Sequence, residues 1–285
     1  MVPIHRQATR LLACVLFALA AGPAAAESPT EKTAGQPPES QSLTASLPLF
    51  KSLAGDHVDE LPLPIGLNFA YVHTWDELEI TRLDAKVAGA VIPVPPSSLS
   101  RVKVSTDTFT GSIDVWILPF LDLYMLGGYS QGTADVSIHI PKALPRLDVE
   151  VPYKVSTWGG GGVITGGWDR FIGLVNLTYT VSNVDVIESK VGTLLVAPRV
   201  GVRYGWKGIE GVLIAGANYM SISQNVLGEY DFGSLAIDYD LDIREADEWN
   251  GSIGVHVDLW KHLDLIVEGG IGTRSSILAS IVGRF

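Results

Sequence analysis

Cysteine is all but missing from this chain: of 285 residues only Cys14 carries a thiol, and it lies in the first apolar segment. If that segment is removed, as argued below, the mature chain holds none, which excludes disulfides and thiolate chemistry. Bases are short as well: 20 Lys and Arg against 31 Asp and Glu leave a formal net charge of −11, the wrong sign for a nucleic-acid surface. Past the first segment no apolar run reaches 18 residues, so no bilayer-spanning helix is expected there. No zinc-ligand spacing and no nucleotide motif occur, and Gly159-Gly160-Gly161-Gly162 is followed by neither a lysine nor a helix. That run reads as close backbone approach within a strand, not as a phosphate loop, and no cofactor is expected.

What is present begins with an export signal. His5, Arg6 and Arg10 precede an apolar run from Leu11 to Ala21, and Ala24-Ala25-Ala26 offers small residues for a signal peptidase. Residues 1–26 are therefore read as a cleaved signal peptide. The apolar run is too short for a membrane anchor, and it continues past Cys14 where a lipoprotein box would end. Cleavage removes two arginines and takes the formal charge from −11 to −13. Residues 27–64 form a leader whose start is rich in Ser, Thr, Gln, Pro and Glu, a composition that cannot bury enough apolar surface to order itself. The leader is expected to be a flexible periplasmic linker, or a short plug through its more apolar stretches 47–53 and 58–63.

From 65 to 285 the chain reads as all-β, with about ten strands (eight to twelve being compatible): 66–82, 102–118, 121–137, 151–166, 171–186, 191–205, 211–225, 248–260, 262–272 and 276–285. Most are longer than the strands of a globular domain, and they suit the 9–11 residues a strand needs to cross a bilayer. Short links such as Leu118-Pro119-Phe120 and Trp168-Asp169-Arg170 alternate with long ones at 83–101, 138–150 and 226–247. Pro198 inside a strand calls for a bulge or a shifted boundary. In 171–181 the odd positions Phe171, Val175, Leu177, Tyr179 and Val181 oppose Asn176, Thr178 and Thr180. In 249–259 Trp249, Ile253, Val255, Val257 and Leu259 oppose Asn250, Ser252, His256 and Asp258. A period of two puts each set on its own face. A soluble β-sandwich would alternate as well. Aromatic spacing favours lipid: Trp116, Trp168, Trp206 and Trp260 flank the short turns, and Tyr129, Tyr179 and Tyr219 each lie eight residues along an apolar face. That separation approaches the height of an apolar band bounded by aromatic girdles.

The signal, the alternating strands and the closing Ile281-Val282-Gly283-Arg284-Phe285 resemble bacterial outer-membrane β-barrel proteins over about 66–285. The resemblance implies an antiparallel transmembrane β-barrel in the outer membrane of a Gram-negative bacterium. It also implies outer-membrane lipid and lipopolysaccharide as surroundings, and barrel-assembly machinery that reads the terminal Phe285.

With the polar face inward, Asp114, Asn176, Arg199, Arg203, Asn218, His256, Asp258 and Glu268 are expected to line the lumen, with Asn68, Thr74, Lys154 and Asp264 beside them. Either these charges pair and fill the interior, or they line a narrow porin for small solutes. Glycines assigned to the same face, among them Gly160, Gly162, Gly254 and Gly270, are expected to leave room for a passage. The alternative function is a non-conducting structural or surface-interaction barrel that acts through its loops. In the acidic stretch 229–248, Asp238, Asp240 and Asp242 alternate and could offer oxygen ligands to a divalent cation, although their spacing fits no metal loop. No enzyme is expected: histidines are scarce, His73 is the only one placed partway up a strand near acids (Asp76, Glu77 and Glu79), and His256 has no serine partner in reach, since Ser252 is about 13 Å along the strand.

Overall fold

The structure, a computed structural model, describes residues 47–52, 61–87, 90–93, 102–138, 147–185, 190–206, 208–232, 235–260 and 262–285. The expected signal 1–26 and most of the leader lie outside them. Twelve strands follow in chain order: β1 Ile65–Val87, β2 Ala90–Pro93, β3 Val102–Leu118, β4 Leu121–Ile138, β5 Leu147–Trp168, β6 Phe171–Val184, β7 Val191–Trp206, β8 Ile209–Phe232, β9 Leu235–Glu245, β10 Trp249–Trp260, β11 Leu263–Ile271 and β12 Ser275–Arg284. No α-helix occurs among the described residues.

Every pairing is antiparallel, and ten strands (β1, β3 to β8 and β10 to β12) close into a barrel. The seam lies between β1 and β12, in register from Gly66↔Arg284 to Trp75↔Ser275. Reciprocal backbone bonds finish it: the Phe285 amide donates to the Ile65 carbonyl at 2.8 Å, and the Ile65 amide to the Phe285 carbonyl at 3.3 Å. One end of the barrel carries tight turns, including Asp169 at φ 53° and Gly208 at φ 82°, the latter a conformation glycine adopts without penalty.

The opposite end is built differently from the sequence expectation. Stretches 83–101 and 226–247 were read as long loops. Instead β1 runs on to Val87 and pairs with β2, and β8 runs on to Phe232 and turns back as β9. The period of two in 235–243, where Ala236, Asp238, Asp240 and Asp242 alternate with apolar or aromatic residues, outweighs the charge that suggested a loop. Strand β9 is paired on both edges, with β8 and with β1 from Leu78↔Glu245 to Val87↔Ile237. It therefore stands where β10, β11 and β12 stood lower down. Where β9 pairs, β1 has left β3 at Leu78 and β8 has left β7 at Ser223, so β8, β9 and β1 rise from the ten-stranded wall as a sheet extension.

Pro198 causes no bulge. Its strand β7 keeps one register with β8 from Val196↔Tyr219 to Arg199↔Gly216, and pairing merely lapses at Ala197 and Pro198. Toward β6 the ladder register passes Pro198↔Val175 without a shift. The missing amide costs local bonds on one side only.

Polarity is reversed relative to a soluble protein. Met125, Phe69, Val200, Ile271 and Ile253 are 60–71 % exposed on the outside, while Asn176, Ser130, Thr106 and His256 are at 0 % inside. No second sheet covers the apolar side, so the sandwich reading falls away. An apolar belt of this extent is far larger than a soluble monomer shows to water, and it is the exterior of a transmembrane barrel. On β4 it runs from Leu121 to Tyr129, on the order of 20 Å at a tilt of roughly 40°. Tyr129, Trp158 and Tyr179 bound it at one end, and Trp168, Phe171, Trp206, Trp260 and Phe285 at the other, all more than 40 % exposed. Half-buried Tyr219 joins the first rim, its ring centroid 5.2 Å from that of Trp249.

Placing a charge in the middle of this belt should be costly. Leu177→Arg is expected to destabilise the folded protein in vesicles by about 2–4 kcal/mol, read from urea unfolding monitored by tryptophan fluorescence. The same change at Asn183, beyond the belt on the same face, should cost about 1 kcal/mol or less.

Candidate functional site

The lumen is packed in layers by side chains that cross from strand to strand. Nearest the tight turns lies an ionic layer. Arg284 Nη1 sits 3.3 Å from Asp114 Oδ2 and donates to the Leu63 carbonyl at 3.1 Å, while its guanidinium lies 5.8 Å from the centre of the Trp116 ring. His256 Nε2 is 3.4 Å from Asp258 and 3.5 Å from Asp264. These three residues bring one nitrogen and two carboxylates within 4.8 Å of one another, a set compatible with a metal ion and equally with an ion pair.

The middle layer is held by Arg199 and Glu268. Arg199 Nε donates to Glu268 Oε2 at 3.0 Å and Nη2 to Oε1 at 2.8 Å, and Nη2 also donates to Asn218 at 3.2 Å. The bidentate geometry is the favourable one for a guanidinium and a carboxylate. Both side chains are almost fully buried. They come from β7 and β11 and must pass across β8 and β10. Glycine on the intervening strands makes that possible: a Cβ on Gly216 would lie 2.7 Å from the Arg199 side chain, and one on Gly254 would lie 3.1 Å from Glu268.

The same construction recurs on the other side of the barrel. Tyr124 of β4 lies across Gly161 of β5, where a Cβ would come within 2.7 Å of its ring. Its hydroxyl reaches β6, donating to Asn176 at 2.7 Å and meeting Thr178 at 2.5 Å. Tyr153 of β5 passes over Gly132 of β4 and bonds Thr106 of β3. These inward glycines are seats for side chains; of the glycines expected to open the lumen, Gly254 is such a seat, Gly270 lies against Ser276, and Gly160 and Gly162 share the outward parity of Trp158 and Ile164 on β5.

Above the middle layer the filling becomes apolar. Leu78, Val102, Val104, Ala134, Val155, Val184, Val191, Leu195 and Met220 are all buried, beside hydroxyl pairs such as Thr108–Ser130 and Thr157–Ser182. This plug lies toward the end of the barrel that carries the β9 extension.

Of the lumen residues expected from sequence, Asp114, Asn176, Arg199, Asn218, His256 and Glu268 are buried inward, and Arg203 and Asp258 are half-buried there. Lys154 faces outward and is exposed. Trp116 is a correction: it was expected in the aromatic girdle but is 1 % exposed and lies inside. It is two residues from Asp114 on β3 and must share its face; proximity to a turn was the weaker signal. The side chains of Asp238, Asp240 and Asp242 lie outside the described residues. Sequence reading missed Tyr124, Tyr153 and Arg284, all of which the same parity marks as inward. It also missed Ser105 and Asp107, which join His73 on the outer face.

No family model and no curated protein matches the chain. Among solved structures it is similar to the β domain of the Bordetella autotransporter Brka, with TM-score 0.45, 12 % identity and 77 % of this chain on 99 % of that one. It is similar to the translocator domain of the autotransporter NalP from Neisseria meningitidis, with TM-score 0.40, 11 % identity and 82 % on 93 %. It is also similar to the outer membrane protein OprG from Pseudomonas aeruginosa, with TM-score 0.39, 12 % identity and 79 % on 98 %.

Removing one partner of the central ion pair strands the other in a dry interior. Arg199→Ala is expected to destabilise the barrel by about 3–5 kcal/mol, whereas Arg199→Met combined with Glu268→Leu should cost much less. Urea unfolding of both variants in the same vesicles measures the difference.

Proposed function

We propose that the chain is an outer-membrane barrel that does not conduct along its axis and acts as a rigid scaffold for its outer face and its β extension. The observation that carries this reading is the burial of inward groups in successive layers: Arg284 and Trp116 at 1 %, Arg199 at 3 %, Glu268 at 5 %, Met220 at 1 % and Leu195 at 2 %. A water-filled channel would leave charged lumen groups wetted, as in wide porins. Here the charges meet one another instead. The narrow porin also expected from the sequence needs an axial path that these side chains occupy. Membrane placement is supported by the apolar belt and its aromatic rims, and the outer membrane by the export signal read in 1–26.

Planar-bilayer recording tests the reading. Folded wild-type protein is expected to give no current steps above the lipid background; reproducible ohmic steps would overturn it and restore the porin. Phe285, exposed on the rim at the end of the seam strand, is the residue that assembly machinery would read. Phe285→Ala is expected to lower the amount of folded barrel in outer-membrane fractions while leaving the exported precursor level unchanged, as measured by gel mobility with and without heating.

A further inference from the structure

The outer faces of β1 and β3 bring together a serine, a histidine and an aspartate that the lumen does not involve. His73 and Asp107 face each other in the β1–β3 register, and Ser105 is paired with Trp75 one step further along. His73 Nδ1 is 2.7 Å from Asp107 Oδ1. The other ring nitrogen, Nε2, is 3.5 Å from Ser105 Oγ. A carboxylate can only accept, so the ring proton sits on Nδ1 and leaves Nε2 as the base that faces the hydroxyl. Asp107 is itself held by the Tyr71 hydroxyl, which donates to it at 2.6 Å, and Tyr71 rests on Phe109 with ring centroids 5.0 Å apart. The Trp75 ring meets the imidazole edge-on at 4.1 Å. Nucleophile, base and orienting carboxylate thus form a connected chain with the base in the right tautomer.

The position of the chain of residues suggests its substrate. On β3 the outward residues Ile113 and Phe109 belong to the apolar belt, and Asp107, Ser105 and Lys103 follow in sequence as its polar continuation. The three groups therefore lie in the first polar rank above the belt, at the height where lipid acyl esters meet headgroups. His73 is 22 % and Asp107 39 % exposed, so a lipid ester can reach them. Exposed Lys103, the next outward residue after Ser105 on β3, offers a cation to a lipid phosphate, and Thr133 and Gln131 of β4, paired with Ser105 and Asp107, offer donors to an oxyanion.

We propose that Ser105, His73 and Asp107 form a catalytic triad on the lipid-facing wall that hydrolyses an acyl ester of a membrane lipid. Ser105 Oγ adds to the ester carbonyl carbon while its proton passes to His73 Nε2. The acyl carbon–oxygen bond to the lipid then breaks, and the departing alkoxide takes that proton and leaves as lysolipid. Water adds to the acyl-serine, giving its proton to His73; the bond to Ser105 breaks, the fatty acid is released, and Ser105 regains its proton. One ester and one water become one alcohol and one acid.

The experiment uses the folded full barrel in two kinds of vesicle, one of phosphatidylethanolamine and one containing lipid A, with a fluorophosphonate probe for the nucleophile. The expected result is probe attached at Ser105 by peptide mass spectrometry and fatty acid released from one of the two lipids; which one tells phospholipid from lipopolysaccharide. Ser105→Ala is expected to lose the label and to slow release by at least on the order of 10³-fold, and Asp107→Asn to slow it while leaving folding, read by heat-dependent gel mobility, unchanged. Absence of fatty acid from both lipids with folded protein, or wild-type release by Ser105→Ala, would overturn the proposal. Neither outcome bears on conductance, so the two readings fail separately.

Discussion

The constraint on which this molecule depends is that hydrocarbon offers no partner to a peptide group. Each unpaired amide or carbonyl in a bilayer costs several kcal/mol, so a sheet that enters one must close on itself. Here closure falls to β1 and β12, joined over ten residue pairs and finished by the reciprocal bonds between Ile65 and Phe285. Once the sheet is closed, alternation does the rest: one side chain in two must suit lipid, and the other must suit whatever fills the tube.

Ten strands make a tube too wide for neighbouring side chains alone to fill and too narrow for a broad water column. The solution in this chain is lateral reach. Arg199, Glu268, Tyr124 and Tyr153 each extend over an adjacent strand, and each does so where that strand carries glycine. Long polar residues and glycines are thus complementary parts of one interior. The ions in it are paired, which keeps the penalty for burying them tolerable, and the upper third is closed by aliphatic packing instead.

Much of this is legible in the amino-acid sequence. The period of two assigned the lipid side and the lumen, and it placed Asp114, Asn176, Arg199, Asn218, His256 and Glu268 on one face. The misreadings share a cause: a local cue was allowed to outweigh the period. Trp116 was drawn to the girdle by its neighbouring turn, although Asp114 two residues earlier had already been placed inward. The stretch 235–245 was made a loop by its acids despite its alternation. Lys154 differs: the four glycines from 159 to 162 blur the period of β5, whose even positions, Lys154 with Trp158 and Ile164, face outward. The meeting of His73 with Ser105 and Asp107 was not legible at all. It depends on the β1–β3 register, and across a connection of 88–101 nothing in composition says which residue of one strand faces which of the other.

Strand β1 has a further consequence for how the molecule is put together. Along one edge it holds β12 as far as Trp75 and then, from Leu78 upward, β9. The barrel seam and the β extension therefore share a single fastening line on a single strand. Closing the barrel and anchoring the extension are therefore not independent modules: both consume the same margin of β1, and the segments that fill it, β9 and β12, lie far from β1 along the chain.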